Sequence, residues 1–346
     1  MTPKEFQTWF AKPINDEITL TETLDMKGLT LTGAGKTVRG GTLKRVRLVG
    51  TDCTFDGVTF DCAPLPEDKW FVPIGAYIDG SKHITFTGCK FGGGSLEKGI
   101  GLRGNDVEDV SVIGCEFKDG YQGPSFLRAK RILVEGCDLH HLGENGVTIA
   151  GCLGLTVRDN FIHDITPVNG AHPDAIQTWT YRQPSTAGDT YYPVNDVLIE
   201  GNVILQGSGG GMQGIFHRSG ANAVAGADPA LYRCHNWTVR NNLVYGFAYT
   251  NAIYLNEGVD GVTIEGNLVI SPFDAQYQGW IYLKGCANLT IRRNVANNYL
   301  ECPKDVLKSN ILTKDVASLI PDLNKRALAT EAGLRLQVGG VRLLVG

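Results

Sequence analysis

The 346-residue chain carries a formal charge of −4, with 42% apolar and 20% charged residues, which excludes a globally basic binder of nucleic acid or of anionic membranes. No run approaches the roughly 18–20 apolar residues that a membrane span needs, which argues against membrane insertion. The nine cysteines include no Cys-x-x-Cys pair and no interleaved histidine spacing, so they fit buried free thiols better than a zinc scaffold.

Residues 3–11 read as a short amphipathic helix whose Phe6, Trp9 and Phe10 share one face, and residues 1–16 are expected to cap the N-terminal end of the repeat region. The first residues lack the apolar core and small-residue cleavage site of a signal peptide, which predicts synthesis in a cytoplasm and another route of exit.

A repeat begins soon after. Ile84-Thr85-Phe86-Thr87-Gly88-Cys89-Lys90-Phe91 sets a pattern of alternating apolar residues, a glycine or polar residue, then cysteine or asparagine. It recurs from Val110, Ile132, Leu155, Val197, Trp237, Val262 and Leu289, with a weaker copy from Cys53. Most spacings are 22–27 residues, and two are 42 and 40. Period-two alternation means strands with one buried face, and one return per two dozen residues predicts an all-β fold, a parallel β-helix over residues 17–300. One column of the repeat reads Cys89, Cys115, Cys137, Asn160, Asn202, Asn242, Asn267, Asn294. Stacked coils would place these about 4.8 Å apart, where amides that both donate and accept can form a ladder.

A second strand column comes about a third of a coil later, with its second and fourth members expected to face outward. One outward row would read Phe126, Thr148, Gln177, Phe216, Tyr254, Tyr282, and the next Arg103, Arg128, Ala150, Trp179, Arg218, Asn256, Lys284. Aromatic faces pack on sugar rings and a line of cations suits carboxylates on a polymer, so this wall is a candidate polysaccharide groove. Residues 181–194 and 219–234 lengthen two adjacent coils just after wall strands and are expected to form a cleft beside it.

The sharpest local feature is Gly170-Ala171-His172-Pro173-Asp174-Ala175-Ile176-Gln177. Asp174 falls at the mouth of its strand, in register with Asn145 and Gln213, and His172, Asp174 and Gln177 are expected to converge with Glu144. Paired carboxylates can hydrolyse a glycoside. Alternatively Asp174 or His172 abstracts a proton α to a uronate carboxylate while Arg218 neutralises the developing charge. Substrate contacts are assigned to Gln177, Trp179, Phe216, Gln213, Tyr254, Tyr282, Arg128 and Lys284. His217 is expected to point inward as a core histidine, while His140, His141 and His163 with Asp164 lie in turns. No cofactor is implied, although calcium at Asp164 or Asp174 is conceivable. After Cys302 the repeat motif is lost; residues 314–332 read as helical and Leu334–Val345 as two strands around Gly339-Gly340. The tail 301–346 is expected to cap the solenoid or to hold an oligomer together.

The ladder and coil length resemble the pectate-lyase-like right-handed parallel β-helix superfamily over residues 17–300, which implies that fold and a polysaccharide partner. The superfamily spans lyases, hydrolases, epimerases and non-catalytic adhesins, so fold alone leaves the reaction open. His172-Pro173-Asp174-Ala175-Ile176-Gln177 looks like the short His/Asp motifs found mid-helix in polysaccharide lyases and epimerases, but lacks the Asp-Pro-His of alginate epimerases and the Asn-Thr-Asp of polygalacturonases. No catalytic role transfers from either. The N-terminal cap and distinct tail resemble bacteriophage tail spikes, which implies a homotrimer on a virion, or an extracellular protein, that binds and often cuts a host glycan. Two functions of different class remain: a depolymerase centred on Asp174, and a non-catalytic adhesin or structural spike.

Overall fold

The computed structural model describes residues 1–27, 29–62, 74–168, 170–186, 188–220, 226–245, 251–271, 279–312, 335–338 and 341–344. Each coil contributes a wall strand, a ladder strand and a short third strand. Wall and ladder strands share a 19-stranded sheet, and the third strands stack into a separate 12-stranded sheet. All coil-to-coil pairings are parallel, as in Asp174–Trp179 on Gln213–Arg218 and Val203–Leu205 on Leu243–Tyr245.

The corner after each ladder strand needs a left-handed backbone. Gly57, Gly88, Gly114, Gly136, Gly201 and Gly266 supply it at φ 58–66°, with Asp159, Asn241 and Arg293 adopting the same conformation in their coils. The next residue turns inward and carries the ladder. Asn160 Nδ2 donates to Asn202 Oδ1 at 2.9 Å, and the relay continues through Asn242, Asn267 and Asn294. Each amide also donates to a carbonyl of the preceding coil, such as Val134 O at 3.0 Å and Val157 O at 2.9 Å. Cys89, Cys115 and Cys137 direct their thiols at earlier members of that carbonyl column, 3.3–3.6 Å away. The relay runs past the repeat motif: Asn294 donates to Asn310 at 2.7 Å, and Ile311–Leu312 pairs with Val295–Ala296. The coil thus extends to residue 312, because a rung needs only the amide and not the apolar frame around it.

The interior changes character along its axis. Phe10, Phe55 and Phe86 stack in one file, and Phe60, Phe91 and Phe117 in another, with centroids 4.5–6.5 Å apart. Later coils use Val, Ile and Leu. Helix α1 (Pro3–Phe10) closes the first coil; its Thr2/Glu5 capping box and Pro3 set its start, and Phe6, Trp9 and Phe10 are buried. All nine cysteines are free and seven are buried. Outside, Glu135, Arg158, Glu200, Arg240, Glu265 and Arg292 alternate in one register row, so stacked coils set opposite charges together.

The two strands expected in the tail are Arg335–Val338 and Val341–Leu344, and they pair antiparallel. The helical reading of 314–332 falls outside the described residues.

Replacing Asn242 by alanine removes the partners of Asn202 N and of one Asn202 Nδ2 hydrogen, and the Asn242 bond to the carbonyl of Ile199. At about 1–3 kcal/mol per orphaned buried group, urea unfolding should show a loss of about 3 kcal/mol or more. Cys115→Ala, which removes only packing and a weak thiol contact, should cost about 1 kcal/mol.

Candidate functional site on the wall

The wall register departs from the sequence reading in two coils. The outward row is Arg103, Ser125, Thr148, Gln177, Phe216, Tyr254, Tyr282. Phe126 is not on it: its ring is 1% exposed and points inward opposite Gly104, where an added Cβ would meet the ring at 2.7 Å. The cause is Arg128, which holds a left-handed corner at φ 51° in register with Asp106, so the strand ends one residue earlier than expected. Arg128 therefore leaves the wall, pairs with Asp106 and lies 5.3 Å from the Tyr181 ring. Arg103 likewise belongs to the row of Gln177. The second row keeps Trp179, Arg218, Asn256 and Lys284 in register, although Asn256 is buried and so is Ala150.

Phe216, Tyr254 and Tyr282 form a continuous aromatic file, with centroids 5.1 and 4.8 Å apart. His172 extends it by one ring, edge-on to Phe216 at 5.8 Å. At the mouth of the wall strands lies a polar row in register, Gln122, Asn145, Asp174, Gln213, Asn251. A neighbouring small column makes room for it: a Cβ on Gly146 would stand 2.4 Å from the carbonyl of Ala175, and one on Gly214 2.2 Å from that of Ala252.

Hydrogen bonds link this row. Asn145 Oδ1 accepts from Asp174 N at 2.9 Å, and Asn145 Nδ2 donates to Gln177 Oε1 at 3.0 Å. Gln177 Nε2 donates to Asp174 Oδ2 at 2.6 Å. Gln213 takes a bond from Asn251 at 2.7 Å and turns its own amide to the His172 ring. His172 Nδ1 lies 3.8 Å from Asp174 Oδ2. Glu144, on the preceding coil and next to Asn145, is held by Gln122.

Asp174 is 0% exposed, whereas the His172 side chain is 59% exposed. Burial pushes the Asp174 carboxyl up, against the pull of His172 and Gln177. The carboxylate in turn pushes His172 up, against its partial burial. Asp174 Oδ1 is buried without a hydrogen-bond partner among the described residues. An isolated buried acceptor of this kind costs stability, and functional sites are where such costs persist.

Of the assigned site residues, His172, Asp174, Gln177, Gln213 and Phe216 come together, with Glu144 on the adjoining coil. Arg218 does not join them. It sits five positions along the strand from Gln213, about 16 Å at 3.3 Å per residue, and is 3.7 Å from Glu257. Trp179 and Lys284 share its row. The two long insertions also leave from that far edge: Tyr181–Gln183 and Thr190–Tyr192 form an antiparallel hairpin there. The cleft they shape is therefore separate from the Asp174 cluster. Asn251 and Gln122 were missed, although the register exposes them as a column of amides.

His217 is inward and fully buried, bonded to Thr178 at 2.8 Å and Ser219 at 2.9 Å, and burial pushes it down to about 3. Asp164 is engaged by His163 and by Ser208. No group of three metal-ligating side chains is arranged to hold an ion among the described residues, and no described helix is long and apolar enough to cross a membrane.

The right-handed beta helix region model matches residues 48–228, just over half of the chain. The chain belongs to that family. No curated protein matches it in sequence. Among solved structures, the Dettilon tailspike protein is 14% identical with a TM-score of 0.52, over 86% of this chain and 62% of the other. The present chain thus spans less than two thirds of that tailspike, with which it shares a fold. The surface adhesin PfbA of Streptococcus pneumoniae is 11% identical (TM-score 0.47, 81% and 82% covered), and pectate lyase Pel9A 15% identical (0.43, 82% and 69%).

Asp174 and His172 both hold protons more tightly in the folded β-helix than in the unfolded chain. Their contribution to stability is complete below the ordinary carboxyl range and is lost as pH rises through the two raised values. The wild-type minus Asp174→Asn difference in urea midpoint should therefore fall with pH until it flattens above the usual histidine range. At neutral pH the Asn variant should be the more stable by about 1 kcal/mol, because it no longer buries an incompletely bonded carboxylate.

Proposed function

We propose that this β-helix binds an acidic polysaccharide along its wall and cleaves it by β-elimination, with His172 as the base. The observation that carries the reading is the pairing of a fully buried Asp174 with an exposed His172 at the head of the Phe216–Tyr254–Tyr282 file. A carboxyl with no exposed surface is out of reach of a polymer on the wall, so Asp174 serves as a positioning residue behind the imidazole. This arrangement favours elimination over a hydrolytic pair of exposed carboxylates. His172 would take the proton α to the uronate carboxylate, the bond to the leaving glycosidic oxygen would break as the ring double bond forms, and the imidazolium would return the proton to that oxygen. The amides of Gln177 and Gln213 are placed to hydrogen-bond the carboxylate as charge moves onto it, in place of Arg218. Tyr254 and Tyr282 would hold sugar rings on later coils.

A homotrimeric spike on a virion or other extracellular assembly suits such a wall, and the part of the 301–346 tail beyond the last coil is the candidate trimer contact. The second reading is an adhesin that uses the same file without cutting.

The discriminating assay incubates the protein with a panel of acidic bacterial polysaccharides and follows unsaturated-uronate absorbance together with reducing ends. His172→Ala should lower both signals by about 10²–10⁴-fold. Tyr254→Ala should act mainly through KM. Because a base works deprotonated, kcat/KM should rise with pH through a value above the ordinary histidine range. Reducing ends without absorbance would replace elimination by hydrolysis, and binding without either signal would leave the adhesin.

A further inference from the structure

The hairpin that leaves the far edge of the wall folds back over earlier coils and borders an open pocket of about 470 Å³, within the range of about 300–1,000 Å³ usual for small-ligand sites. Its walls come from three successive corners, including Arg128, Lys130 and Leu153, and from Tyr191, Tyr192 and Asn195. The hairpin is braced in place. Arg182 binds Asp189 at 2.6 Å across it, Tyr181 lies beneath the Arg128 guanidinium, and Tyr191 packs on Tyr232 of the second insertion at 6.0 Å. At its base the backbone passes so close that a Cβ on Gly151 would meet Tyr192 Cβ at 2.7 Å.

The lining divides into an apolar floor and a polar rim. Leu153 contributes the largest aliphatic side chain to the floor and is 47% exposed. Around it stand two phenolic rings, an amide and four charges. Those charges nearly cancel: Arg128 is spent on Asp106, and Glu108 is held by Lys82 and Arg131. Lys130 has no ion-pair partner among the described residues. A pyranose has the same division, a C–H face and a ring of hydroxyls, and tyrosines that bury one face while hydrogen-bonding the edge suit it. The geometry points to a second, non-catalytic saccharide site here, for a short uronate-containing glycan segment, one carboxylate of which would meet Lys130. It rests on the reading of the wall as glycan-binding, yet it uses none of the residues of the His172 cluster and lies about 16 Å or more from it along the strand. A polymer held at both places would be anchored at one edge and presented at the other, which raises local concentration without new contacts at the cutting site.

The test is calorimetric titration of the Asp174→Asn protein with alginate and polygalacturonate hexasaccharides. Two binding events are expected for at least one of these probes. Leu153→Asp, on a surface position that should not disturb folding, should weaken one of them tenfold or more, and Tyr191→Ala should weaken the same one. Tyr254→Ala should affect only the other. If both pocket variants bind as the parent does, the second site is wrong, whatever Tyr254→Ala does. If the pocket variants lose binding and Tyr254→Ala changes nothing, the second site stands and the wall reading falls. Absence of binding to either probe overturns both.

Discussion

The relay of asparagine amides through the ladder corner is the interaction on which the rest depends. A solenoid has no layers that close on themselves, so each coil must be told its height and its angle by the coil before it. Parallel strand hydrogen bonds set the height, but they tolerate a slip of register. The amide does not, because Asn202 Nδ2 must find both Val157 O behind it and Asn242 Oδ1 ahead. A buried amide with either partner missing is costly, so the whole column is right or wrong together. The thiols of the early coils occupy the same column with weaker contacts, and there the stacked phenylalanines supply the specificity instead.

A fixed height and angle let distant residues be placed by counting. Gln122, Asn145, Asp174, Gln213 and Asn251 come from five coils and stand in one line because the ladder corners between them, at Gly136, Asp159, Gly201 and Asn241, all turn alike. The site arises where the line changes type: four members are amides and one is a carboxyl. The corner after the wall shows the same logic in reverse. Gly80, Asp106, Arg128 and Gly151 take a left-handed turn there, and so do Glu257 and Gly285, while Thr180 and Ser219 do not. Those two are the points at which the long insertions leave.

The ladder was legible in the sequence because its chemistry admits few residue types, and Asn or Cys at so regular a spacing has little structural use outside a stacked corner. The cap was legible because Phe6, Trp9 and Phe10 fall on one face of a helix, while the Thr2/Glu5 capping box that fixes its start emerged from the structure. The wall register was read correctly from Val147 onward and misread by one residue at Phe126 and by two at Arg103. An outward Arg and an Arg in a left-handed corner look alike in sequence, whereas the glycine or aspartate used by sister coils would have marked the corner. Asp174 was placed in its row correctly, but its burial was invisible, because it depends on Gln177 and His172 folding over it. Asn310 was missed since it carries a rung without the flanking alternation.

The direction of the amides around Asp174 constrains the imidazole itself. Gln213 Oε1 is committed to Asn251, so its Nε2 must donate; it lies nearer the Nε2 of His172 than the Nδ1, which is 3.2 Å away. Gln177 is oriented in the same way by Asn145, which leaves Asp174 Oδ2 an acceptor on that side. A neutral ring that accepts from Gln213 at Nε2 would carry its proton on Nδ1, which lies 3.8 Å from Asp174 Oδ2. On the proposed reading such a ring would act as a base through its Nε2 lone pair, with Nδ1 on the side of the buried carboxyl. Gln213, which guards that lone pair, is the group a substrate would displace, and the carboxylate of the same sugar unit would be a suitable new acceptor for its amide.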